Sequence, residues 1–143
     1  MDVTGPIACR AVQIVAALFI EGIDLRQVGG PSTRIDLTGV QFSAAAPGPY
    51  PVTIEPHLVV IVRCAEGDKR TGALEVVFNR DGEQIARNVQ PLDIEPGKFG
   101  YRLVRAELEF TEPGSIEASC RVDLGAETVV PYTLLPPLAD LPG

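Results

Sequence analysis

The sequence predicts an all-β fold, a two-sheet antiparallel β-sandwich of seven or eight strands, and three observations lead there. Apolar and polar residues alternate at period two along several short segments. Ile116, Ala118, Cys120, Val122 and Leu124 against Glu117, Ser119, Arg121 and Asp123 is the clearest of them. The 14 glycines and 13 prolines are scattered between apolar runs, as many short strands joined by turns require. Between Phe78 and Ile85 the run Asn79-Arg80-Asp81-Gly82 has the chemistry of a hairpin turn, Asp starting the hydrogen bonding and Gly supplying a positive φ. Strands that are apolar on one face only must stack as two sheets to hide that face.

Taken in order, residues 1–8 are expected to be a flexible N-terminal arm, residues 9–135 the sandwich domain, and residues 136–143 (PPLADLPG) a Pro-rich C-terminal tail. Arg10 to Ile20 suits an Ala-rich helix or a strand buried on both faces, and the strands downstream favour a strand. Glu21 to Pro31 is a polar, Gly-rich connection. Arg34 to Phe42 alternates, with a change of parity near Gly39 that suggests a bulge or bend. Ala44 to Pro56 is the longest irregular segment, because Pro47, Pro49, Pro51 and Pro56 each remove a ladder donor. Such a segment is a binding loop or the cover of a sheet edge.

From His57 to Ala86 the chain predicts strand, loop, strand, tight turn and strand. Leu58, Val60, Val62 and Cys64 point inward, as do Leu74, Val76 and Phe78. Beyond Pro91 and the turn Glu95-Pro96-Gly97-Lys98, a strand from Tyr101 to Phe110 turns Val104, Ala106, Leu108 and Phe110 inward. Glu112-Pro113-Gly114 makes a corner before the alternating strand at 116–124, and a last strand runs from Thr128 to Leu134.

A chain of 143 residues is one domain by length and buries enough surface to fold with neither metal nor disulfide. The formal net charge of −7 argues against nucleic acid as a partner, which needs clustered Lys and Arg. No stretch is long enough to span a bilayer, and no basic residue precedes the N-terminal apolar run as a signal peptide would require. The expected setting is the cytoplasm, without membrane association. Ten of the 12 basic residues are Arg, a bias associated with GC-rich bacterial genomes.

With its strands placed, the chain resembles a family of small uncharacterised bacterial proteins with an immunoglobulin-like β-sandwich fold. The segments that carry the resemblance are VQIVAALFIEG, HLVVIVRC, LEVVFNRDGEQIA and LEFTEPGSIEASCRVDLGAETVVPYTL. The resemblance implies a fold and brings no catalytic or binding residues with it. Cys64 and Cys120, on inward parity and 56 positions apart, are spaced much like the inter-sheet cysteines of immunoglobulin domains. A bridge there would add roughly 2–4 kcal/mol. No Trp is present to pack beside one, and a cytoplasmic chain stays reduced, so two free core thiols are expected instead.

Three dispersed Cys and one His lack the ligand spacing of a metal site, and no cofactor is implied. His57, the single histidine, sits at the mouth of a strand. None of Ser32, Ser43, Ser115 and Ser119 stands in a Gly-x-Ser-x-Gly turn. The reading favoured is a non-enzymatic module that binds another protein or itself, with a homodimer the simplest assembly. Tyr50 and His57 are its candidate binding residues. The alternative is a small hydrolase or ligand-binding enzyme pairing His57 with a nearby Cys or Ser.

Overall fold

The computed structural model of the chain describes residues 12–27 and 33–138. The expected N-terminal arm, Cys9, Ser32 and the last five residues of the expected tail lie outside them. The fold is all-β, with sheets packed on one another as the alternation requires. Numbered in chain order, the first sheet runs β2 (Thr33–Val40), β1 (Gln13–Gln27), β5 (His57–Cys64), β8 (Lys98–Arg105). The second runs β3 (Ser43–Ala45), β11 (Thr128–Leu135), β10 (Gly114–Val122), β6 (Thr71–Arg80), β7 (Glu83–Asp93). A two-stranded ribbon pairs β4 (Val52–Ile54) with β9 (Leu108–Phe110).

The described residues thus form 11 strands where seven or eight are expected. The difference comes from β3, β4 and β9, each three residues long and too short to show a period. Ala44 to Pro56 is therefore not irregular throughout. It carries β3, which covers the end of β11 in the only parallel pairing among the described strands, and β4. Glu21 to Gln27, expected as a connection, continues β1, because β2 folds back on it from Ile20↔Val40 to Gln27↔Thr33. Leu124, expected inward, stands 94% exposed in the turn after β10.

The β6–β7 hairpin bears out its turn chemistry. Asp81 (φ 51°) and Gly82 (φ 82°) both adopt positive φ, the two-residue turn whose twist matches the flanking strands, and Arg80 pairs with Glu83. Gly39 (φ 63°) marks the change of parity in β2, and a Cβ there would collide with the Glu21 side chain. Pro91 is tolerated because β7 is an edge strand, and Pro131 because β3 covers only Thr133 to Leu135 of β11.

One core lies between the sheets. Phe19, Leu58, Val60, Val62 and Val104 enter it from the first sheet, and Leu74, Val76, Phe78, Ile116 and Ala118 from the second. Leu108 and Phe110 of the ribbon close one end. Phe19 and Tyr132 meet across the layers with ring centroids 4.9 Å apart and planes tilted by 50°. Along one flank the edges β7 and β8 are tied together: Gln90 Nε2 donates to Leu103 O at 3.2 Å, and Arg102 Nε to Pro91 O at 3.4 Å.

Candidate functional site

Strand β5 sets the geometry of the most unusual surface. Its residues are apolar on both parities, and pairing decides where the second set goes. Val60 pairs with Ala17 and Arg102 on the core side, whereas Val59 pairs with Leu18 and Leu103 on the outer side. The next outer row joins Ala16, Ile61 and Tyr101, and the row before it joins Ile20, His57 and Arg105. Val59 (0% exposed) and Ile20 (2%) are buried yet stand apart from the inter-sheet core. A register shift between Ile14 and Ala16 inserts Val15, which is 54% exposed. At the far end Arg63 lies over the Phe99 ring, 5.7 Å from its centroid, and Phe99 is 55% exposed.

The outer face of the first sheet is thus an apolar field with a basic rim. Its centre is Leu18, Val59, Ile61, Tyr101 and Leu103. Its rim carries the cations Arg63 and Arg105 with His57 beside the latter, and among the described residues the rows from Gln13 to Ile20 contain no carboxylate. In a chain of 19 acidic and 12 basic residues these rows are locally basic, and carboxylates return further along the β1–β2 pair, where Asp24 pairs with Asp36. The outer face of the second sheet is ordinary by comparison: Glu75 pairs with Arg87 at 2.6 Å, and Arg121 with Glu127 at 3.8 Å. Val77, Val89 and Val129 lie among them.

The sequence-derived candidates fall in different places. Tyr50 donates its hydroxyl proton to Leu135 O at 2.9 Å and packs against the core, tying the segment before β4 to the end of β11. Desolvation pushes its phenol pKa up. His57 is half-buried on the outer side of β5, at the edge of a cleft of about 280 Å³ that also includes Ile54, Glu55 and Tyr132. A larger cleft of about 710 Å³ opens at the other end of the sandwich, between Val12, Ile14, Lys69, Val122 and Leu124.

Cys64 and Cys120 are both free and buried. Burial raises both thiol pKa values, with the Asp68 charge a further cause at Cys64, and Cys120 is pushed up to about 12. Such thiols are poor nucleophiles. Cys64 also lies seven positions from His57 along one strand, on the opposite face and about 23 Å away by strand rise. Ser43, Ser115 and Ser119 belong to the outer side of the second sheet, where Ser115 and Thr133 hydroxyls share a 2.7 Å hydrogen bond. The structure does not bring His57 together with any described Cys or Ser.

Among the described residues no group of three or more His, Cys, Asp or Glu could hold a metal ion, and no helix is long and apolar enough to cross a membrane. Compared with known proteins, the chain matches no family model and no curated sequence.

The apolar outer face is what sequence reasoning missed. The signal was present in HLVVIVRC, whose second parity (Val59, Ile61) is as apolar as its first. A sandwich needs only one apolar set per strand, so alternation alone does not single out the second.

Proposed function

We propose that this chain is a non-enzymatic protein-binding module of the bacterial cytoplasm that docks through the outer face of its first sheet. One observation carries the reading. An antiparallel sheet with one solvated side alternates apolar-in and polar-out, yet β5 and its neighbours place Leu18, Val59, Ile61, Tyr101 and Leu103 together on the outer side. Leu18, Ile61, Tyr101 and Leu103 are half-buried around a fully buried Val59, with exposed Val15 and Phe99 at the margin. An apolar cluster of this kind with a charged rim fits an interface better than a solvated face.

The strand order, two sheets joined by crossovers with a parallel pairing of β3 on β11, supports an immunoglobulin-like kinship, which by itself assigns no activity. Two free thiols in the core support the cytoplasmic setting. The separation of His57 from the described Cys and Ser side chains favours binding over hydrolysis by such a pair, since a nucleophile and its base need hydrogen-bond reach.

The test is affinity purification of the tagged chain from its own cells, beside the variant Ile61→Lys. A partner retained by the parent and lost by a folded variant is expected. Partners that bind both equally would refute this docking face.

A further inference from the structure

We infer that the smaller cleft, at the His57 end of the sandwich, binds a primary ammonium carried on a short aliphatic stem. This site is separate from the outer face proposed for docking and does not depend on it. At about 280 Å³ the cleft lies at the small end of the range for ligand sites, so it takes a few heavy atoms rather than a drug-sized molecule. Three parts of the chain wall it: Ile20 and Glu21 of β1, the corner from Ile54 to His57 where β4 passes into β5, and Tyr132 of β11.

Tyr132 is the decisive group. It is only 4% exposed and its ring packs on Phe19, yet its hydroxyl has no hydrogen-bond partner among the described residues. Among those residues no side-chain nitrogen or oxygen is both fully buried and unpartnered. The hydroxyl therefore keeps an opening, and the cleft is the opening that Tyr132 lines. A polar group so enclosed costs free energy until a partner from outside the protein satisfies it. Desolvation raises its pKa, so it stays a neutral hydroxyl with lone pairs to offer.

The rim sets the charge of that partner. Glu21 and Glu55 are exposed carboxylates with no ion-pair or hydrogen-bond partner among the described residues, and no described Lys or Arg lines the cleft. Arg105, which pairs with His57, belongs to the outer side of the first sheet. A metal ion does not fit, because no group of three His, Cys, Asp or Glu among the described residues could hold one. An organic cation does. Acceptors from three separate parts of the chain suit the three donors of an ammonium better than the planar fork of a guanidinium. Ile20 and half-buried Ile54 offer apolar surface to the stem.

The experiment is an NMR titration of the isotope-labelled chain with butylammonium, beside butyrate as an anion of similar length. Saturable shifts around Tyr132 and Glu55 are expected with butylammonium and none with butyrate. Tyr132→Phe keeps the ring and removes only the hydroxyl. It should weaken binding about tenfold, the loss of one hydrogen bond to a charged group, while the urea midpoint stays unchanged or rises because no bond of the protein itself is lost. Glu55→Gln should weaken binding too, by more at low salt than at high. Acetyl-lysine methylamide, with its side-chain amine free, decides the source of the ammonium. Binding equal to that of butylammonium assigns the cleft to a lysine side chain of a partner, weaker binding assigns it to a free amine, and both keep the site.

Equal shifts with butyrate would reduce the cleft to an apolar dent, and shifts that never saturate with butylammonium would remove the site. A Tyr132→Phe chain that binds as the parent does, or is less stable than it, would overturn the role of the hydroxyl.

Discussion

Val59 and Val60 are adjacent, identical and both 0% exposed, but one faces out of the first sheet and the other into the core. Replacing each by Ala in turn removes the same two carbons, a transfer loss of about 1.6 kcal/mol at ~0.8 kcal/mol per carbon. At Val60 a second loss follows, because a close-packed core between two sheets relaxes only in part. About 50 Å³ of emptied volume at ~24 cal/mol per Å³ adds about 1 kcal/mol. At Val59, outside the inter-sheet core, the half-buried Leu18 and Leu103 side chains flanking it close over the dent, and the second loss is absent. The expected costs are about 2.5–3 kcal/mol for Val60→Ala and about 1.6 kcal/mol for Val59→Ala. Urea denaturation of dilute protein reads the difference as a midpoint gap of roughly 0.5–1 M at an unchanged slope. Equal losses would show that the surroundings of Val59 relax no more than the inter-sheet core, and the reasoning from a one-layer environment would fall.

Tyr50→Phe deletes the hydrogen bond to Leu135 O and is expected to cost about 0.5–1.5 kcal/mol in a denaturation curve. An unchanged curve with loss of a partner would make Tyr50 a contact residue instead. Gly82→Ala forces a Cβ into positive φ at the hairpin and should cost about 1 kcal/mol, read as a lower melting temperature.

Arg80 donates to Glu109 O at 2.8 Å while its guanidinium carbon sits 4.4 Å from the Phe110 ring centroid, clamping β6 to the β4–β9 ribbon. Arg80→Lys keeps the charge but loses the planar stack, for an expected loss of ~1 kcal/mol, and wild-type stability in that variant would dismiss the clamp. The buried thiols make stability fall in alkali. Unfolded Cys ionises near its usual value of ~8.5, whereas native Cys120 holds its proton to about 12. The contribution is therefore complete below the unfolded pKa and is lost as pH rises toward the native one. Cys120→Val should flatten the decline measured by urea melts between pH 8 and 10, and an unchanged slope would assign it to other groups.

Much of the fold was legible because strand periodicity and turn chemistry are local. The inward sets of β5, β6 and β10 and the Asp81-Gly82 turn follow from residues within a few positions of one another. The three-residue strands were not legible, since β3, β4 and β9 exist only through distant partners: Ser43 through Thr133, and Val52 through Phe110. Pro-rich composition around Tyr50 argues correctly against a central strand and says nothing of these short edge pairings. For the candidate site, His57 was visible as a lone titratable group. Its place at the corner of an apolar field was not, because the other members come from three separate strands.

The sequence by itself determined the class, the main turns and which side chains of each strand share a face, because pleat and φ preference act residue by residue. Tertiary structure alone decided which of the two apolar faces of β5 meets another layer. It also decided which carboxylates and guanidiniums are left facing outward. A strand buried on both parities reads the same whether its second face is enclosed or open. Only the pairing of β5 with β1 and β8, and the stacking of the second sheet on the other side, leaves Leu18, Val59, Ile61, Tyr101 and Leu103 on the outside of the sandwich.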